Sequence, residues 1–112
     1  MEKSKQFAIR IIRFAKYLRG EQQEHTLAKQ ILRCGTSIGA NIHEGNYASS
    51  RQDFINKFQI ALKECYETEY WLDIFKASEM IDEEEYQTLF SGCSKLRVLL
   101  IKSINTAKKK ET

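Results

Sequence analysis

The chain has 112 residues, enough for one domain with a modest core and no need of disulfides or metals. Proline is absent, glycine is scarce (5 residues) and hydrophobic residues make up 42%, which argues against a disordered chain and against turn-rich sandwiches and barrels. A net charge of +3 is too small to dictate a polyanionic partner by itself.

The first helix is expected over about residues 4–19. Phe7, Ile11, Phe14 and Leu18 recur at spacings of four, three and four, and Ala8, Ile12 and Ala15 widen that stripe. Gly20 reads as its C-cap, with residues 21–25 as the turn. The second helix is expected over 26–45, with Leu27, Ile31, Cys34, Ile38 and Ile42 inward. Its later half is unusual, because Gly35, Thr36, Ser37 and Gly39 are all weak helix formers. Something other than propensity must favour them, and glycines four apart would admit a neighbouring backbone.

The third helix is expected over 50–78. Ser50 with Asp53 gives a capped start. Phe54, Phe58, Ala61, Cys65, Thr68, Leu72 and Phe75 then keep an unbroken heptad rhythm. The fourth is expected over 82–108, opened by a capping box of Asp82 and Glu85 with Ile81 before it. Its stripe is Tyr86, Phe90, Cys93, Leu96 or Arg97, Leu100 and Ile104. Four amphipathic helices with short connections predict an all-α, antiparallel up-down-up-down four-helix bundle in one domain over 1–112.

Cys34, Cys65 and Cys93 each fall on an apolar stripe, so the expectation is buried reduced thiols, as suits a cytoplasmic protein. No apolar run approaches the length of a membrane span, and no signal-peptide core is present. Catalytic constellations are missing. Glu64-x-x-Glu67 has no histidine beside it on the third or fourth helix, as a di-iron site would need. His25 and His43 are far apart, and Gly35-x-x-x-Gly39 lacks the Lys-Ser or Lys-Thr of a phosphate loop. The expectation is a protein that is not an enzyme and holds no metal or cofactor.

Two surfaces remain over. Tyr66, Tyr70 and Ile74, with Trp71 beside them, form a second apolar face on the third helix, and Val98 to Ile101 point all round the fourth. A helix apolar on all sides wants burial on more than one, so Tyr66, Tyr70, Trp71, Ile74, Val98 and Ile101 are expected in an interface between copies. A wide core with scattered surface aromatics is the simpler alternative. Charge is also segregated. Lys3, Lys5, Arg10, Arg13, Lys16 and Arg19 stand against Glu2 alone in residues 1–20. Residues 64–85 hold nine carboxylates and only Lys76. In an up-down-up-down bundle both termini and the middle loop share one end. Lys3, Lys5, Arg51, Lys108, Lys109 and Lys110 are therefore expected at one basic pole, with Arg10 and Arg13 adjoining, able to hold nucleic-acid phosphate. A solvated basic tail is the alternative.

Ser37, Asn41 and Glu44 recur at helical spacing, and Glu44 lies where the macrodipole disfavours a negative charge. The expectation is a polar latch with Arg51, or a basic residue of another chain, as partner to Glu44. An RNA-contact patch is the other reading.

The same residues carry a resemblance. The run Thr36-Ser37-Ile38-Gly39-Ala40-Asn41-Ile42-His43-Glu44-Gly45 resembles the motif Ser-Ile-x-x-Asn-Ile-x-Glu-Gly of the bacterial 23S rRNA intervening sequence proteins. The segments 48–54, 60–64 and 67–72 follow in matching order and spacing. Where many members have proline, this chain has Gly39. The resemblance implies a four-helix bundle that assembles as a homopentamer. It also implies a tie to the accessory variability determinants of diversity-generating retroelements, which share the architecture and are implicated in binding nucleic acid and a reverse transcriptase. It carries over no catalytic residues. The partners expected are further copies of the chain and RNA or DNA; a protein partner without nucleic acid is the second reading.

Overall fold

The computed structural model describes residues 2–110, which form four helices: α1 (Glu2–Gly20), α2 (Thr26–Asn46), α3 (Arg51–Ala77) and α4 (Glu83–Lys109). Each packs on its sequence neighbour and α4 closes back on α1, giving an antiparallel up-down-up-down bundle about 50 Å long and 21 Å across. The register shows in the cross-helix pairs. Ile11 lies against Gly35, Glu44 pairs with Lys57, Tyr86 donates to Asp73, and Arg51 donates to the Lys110 carbonyl.

The helix starts follow local chemistry. Ser50 Oγ accepts from the Asp53 N–H at 3.0 Å and the Asp82 carboxylate accepts from the Glu85 N–H at 2.7 Å, as the two capping patterns require. At α2 the cap is a glutamate. The His25 side chain makes no cap bond, and Glu24 Oε2 accepts from the Leu27 N–H instead. Gly20 is not the left-handed cap expected of it; it stays helical, and Gln23 takes the positive φ (52°) in the turn beyond. After α3, Glu79 adopts φ 61° while its N–H and that of Met80 return to the carbonyls of Lys76 and Phe75. That is a Schellman closure with glutamate where glycine is usual.

The core runs the length of the bundle, from Phe7, Ile11 and Leu18 through Ile31, Ile38, Phe58 and Leu72 to Leu89, Leu100 and Ile104. Phe14 meets Phe75 edge-on across the diagonal, ring centres 5.4 Å apart. Several expected core positions shift by one residue. Ala28, Ile55 and Leu89 are buried, whereas Leu27, Phe54 and Phe90 are half-buried, and Ile12 is exposed. A helix of 3.6 residues per turn drifts against a seven-residue repeat, so the inward position slides along a long helix.

The weak helix formers of α2 have their reason in packing. A Cβ on Gly35 would sit 2.8 Å from Ile11 Cγ2, and one on Gly45 would sit 2.7 Å from the Phe58 ring. Both neighbours are buried and cannot retreat. At Gly39 a Cβ would meet Ser4 at 3.5 Å, an ordinary contact, so close approach is not what glycine supplies there. Thr36 and Ser37 turn their hydroxyls onto the carbonyls of Leu32 and Arg33, satisfied within the helix.

The three cysteines are free and buried at mid-length. Cys93 Sγ donates to the Cys65 carbonyl at 3.4 Å. Burial pushes the Cys34 thiol up to about 11; the contact with Cys65, together with burial, raises Cys93.

Three outcomes follow from this packing. Gly35→Ala and Gly45→Ala each lower the unfolding free energy by about 1–3 kcal/mol through overpacking, whereas Gly39→Ala raises it by up to about 1 kcal/mol through helix propensity, as read by urea titration. Glu79→Gly raises it by roughly 1 kcal/mol by relieving the left-handed backbone. All three thiols resist Ellman's reagent at neutral pH in the native protein and react at once in guanidinium, because each is buried out of the reagent's reach.

Candidate nucleic-acid interface

The seam between α1 and α4 is the sparsest of the four. The stretches from Lys3 to Gly20 and from Tyr86 to Lys110 contain no carboxylate, so the flank shared by α1 and α4 is basic by composition. Two shallow grooves follow it, and a third continues along α4 beyond α1, between α4 and the start of α3. The first, about 350 Å³, is lined by Lys3, Gln6, Arg10, Thr88, Ser91 and Lys95, with Gly92 against the Phe7 ring. The next, about 640 Å³, shares Lys3, Ser91 and Lys95 and adds Ser94, Val98, Leu99, Lys102 and Ser103. The last, about 490 Å³, shares Lys102 and Ser103 and ends at Arg51, Phe54, Thr106 and Lys110. Lys3, Arg10, Lys95 and Lys102 form no ion pair with any described residue.

The single basic pole expected from the sequence thus becomes a stripe. Arg51 and Lys110 do meet at the bundle end, through a 2.9 Å hydrogen bond to the Lys110 carbonyl, and Lys108 and Lys109 are exposed in the same last turn. Lys3 lies farther along, beside Lys95. Lys5 turns to the other flank of α1, into a groove of about 460 Å³ with Thr36, Gly39, Ala40 and His43. Arg13, with Arg10, lines a groove shared with Asp82 and Glu85, where the acidic end begins. Lys95 and Lys102 are cations that placement by helix end does not pick out. Their seven-residue spacing, with Ser91 one turn before Lys95, is the signal in the sequence that could have found them.

The family-motif residues act mainly on their own helix. Ser37 Oγ donates to the Arg33 carbonyl at 2.7 Å and Asn41 Nδ2 to the Ser37 carbonyl at 2.9 Å. Glu44 alone reaches out, and its partner is Lys57 of α3, 3.2 Å away, in place of the expected Arg51 or another chain. Arg51 is engaged with Lys110. Gly45 is a packing residue beneath Phe58.

The expected interface residues divide. Tyr66, Tyr70 and Val98 are exposed (52%, 58% and 46%), as is Leu99. Trp71 packs partly on the core and donates its indole N–H to Glu67, while Ile74 and Ile101 are half-buried. Between Tyr66 and α4 lies an ion pair, Arg97 to Glu69 at 3.0 Å, with the guanidinium 6.0 Å from the Tyr66 ring centre and Ser94 donating to the same carboxylate. Arg33 of α2 likewise binds Glu64 and Glu67 of α3.

Among the described residues, no three His, Cys, Asp or Glu side chains are grouped to hold a metal ion, and no helix is long and apolar enough to cross a membrane. His25 and His43 are both exposed, and His43 packs against the Tyr47 ring at 5.1 Å.

Comparison with solved structures finds a crystal structure of a protein of unknown function from the S23 ribosomal protein family of Bacteroides thetaiotaomicron VPI-5482. It is 50% identical, with a TM-score of 0.90 over 92% of this chain and 95% of the other. Curated proteins give no match. The family model described as 23S rRNA-intervening sequence protein matches residues 1–102, so the terminal Lys108 to Lys110 lie beyond the matched region. The chain belongs to the 23S rRNA-intervening sequence protein family.

Proposed function

We propose that this protein is a non-catalytic, cytoplasmic homo-oligomer that binds RNA through the basic flank of its bundle. The observation that carries the reading is the run of ion-pair-free cations along α1 and α4, with Lys3, Arg10, Lys95 and Lys102 on connected grooves that hold no carboxylate. Such a run is a favourable bed for phosphate, since each contact releases a condensed counterion. Oligomerisation is supported by the exposed rings of Tyr66 and Tyr70 on α3, whereas Val98, also exposed, lines the groove with Lys3 and Lys95. The pentameric number, and the tie to the accessory determinants of retroelements, rest on the family resemblance alone. Three free cysteines suit a reducing compartment.

A second reading has its own observation. The α3–α4 flank carries its cation already paired, Arg97 with Glu69, and leaves tyrosine rings outward, which suits a protein partner better than phosphate. In that reading the bundle is a scaffold that never meets nucleic acid.

Light scattering combined with nucleic-acid detection separates them. The proposal expects an oligomer that co-purifies with RNA at about 50 mM salt and loses it by about 200 mM. Tyr66→Glu with Tyr70→Glu should yield a folded monomer. A scaffold would show binding of a protein partner that is nearly indifferent to salt, with no nucleic acid at any salt, and that result overturns the RNA reading.

A further inference from the structure

Resting on the RNA reading, we infer that the α1–α4 seam is a track for a single-stranded polynucleotide, and that Lys95 and Lys102, with Lys3 and Arg10, are its phosphate contacts. The seam alternates two kinds of surface. Cations and hydroxyls, among them Lys3, Ser91, Lys95, Lys102 and Ser103, supply charge and hydrogen-bond donors. Apolar side chains lie between them: Leu99 (43% exposed) lines the same groove as Lys95 and Lys102, and Phe54 lines the next. A duplex would press its phosphates onto those apolar groups and keep its base faces stacked inside. A single strand can set phosphates on the lysines and lay unpaired bases or sugars against Leu99 and the outer edge of the half-buried Phe54, so that a basic groove tracks the backbone while apolar groups meet the bases.

The seam has a direction as well. One end closes at Asp82 and Glu85, which share a groove with Arg10 and Arg13 and repel phosphate. At the other end the track leaves α1 and continues along α4 beside the start of α3, at Arg51 and Lys110. From Thr88 to Lys110 the track follows α4 for roughly 33 Å at 1.5 Å per residue. It lies on the flank of α4 away from Arg97, with Val98 at its edge, so a contact between copies made through Tyr66 and Tyr70 of α3 leaves the lysines free.

The test uses fluorescence anisotropy with the full chain and three labelled probes of about 12 nucleotides, a size within the usual range of single-strand sites. These are oligo-U RNA, oligo-dT DNA and a blunt RNA duplex. The inference expects both single strands to bind at least about tenfold tighter than the duplex, with a salt slope near −3 for four phosphate contacts. Lys3→Gln, Lys95→Gln and Lys102→Gln together should weaken single-strand binding about tenfold or more and flatten that slope. Lys16→Gln with Lys29→Gln, off the seam, should change it less than about twofold, and equal melting temperatures confirm that each variant folds. Leu99→Ser should weaken single-strand binding without altering the slope. If nucleic acid binds but the duplex is preferred, the inference fails while the RNA reading stands. It fails in the same way if the loss tracks Lys108→Gln and Lys109→Gln in place of the seam set. If no probe binds at about 50 mM salt, both are overturned.

Discussion

The close approach of α2 to its two neighbours is the constraint from which much of the bundle follows. Gly35 receives the branched side chain of Ile11 and Gly45 receives the Phe58 ring, each in space that one methyl group would occupy. Interiors pack at crystal density, so these contacts fix both the depth and the axial register of the α1–α2 and α2–α3 seams. With α2 drawn in on both sides, the Arg33 and Glu44 pairs fall into line across the α2–α3 surface. Such exposed pairs add little energy of their own, and their main consequence is to neutralise that face.

Neutralisation of the α2–α3 and α3–α4 surfaces is what leaves the α1–α4 flank distinct. Among the described residues, the ion pairs link α2 to α3, α3 to α4, or α3 to the start of α4, and none involves α1. The cations of α1 therefore enter no ion pair among the described residues, and beyond Arg10 the carboxylate-free length of α4 lies opposite them. A modest net charge of +3 conceals this arrangement, because the balancing acids are gathered in residues 64–85 at the other end and on the other faces. Net charge speaks to solubility and long-range steering, whereas a binding surface depends on where the charges sit.

Much of the architecture was legible in the sequence, because period, caps and connections all point the same way. Ser50 and Asp82 cap as their spacing demands, and Phe7, Ile11, Phe14 and Leu18 are buried together. What was not legible depends on helix rotation. A shift of one residue puts Ile55 and Leu89 inside in place of Phe54 and Phe90, and sends Lys5 to the α2 side while Lys3 faces α4. Placing charges by helix end alone therefore merges residues that lie on different flanks. The Glu44 partner differs from expectation for a similar reason: Lys57 is more than a turn into α3, and only the depth set by Gly45 brings it within 3.2 Å. The glycines of α2 look alike in sequence, yet Gly35 and Gly45 are packing sites and Gly39 is not.

Photo-cross-linking reads directly whether nucleic acid lies on the α1–α4 flank. With a 4-thiouridine oligonucleotide and peptide mass spectrometry, adducts are expected within residues 3–10 of α1 and 88–106 of α4. Adducts concentrated on the α2–α3 face, around Arg33 and Lys57, or the absence of any adduct under conditions where the protein is folded, would contradict that placement.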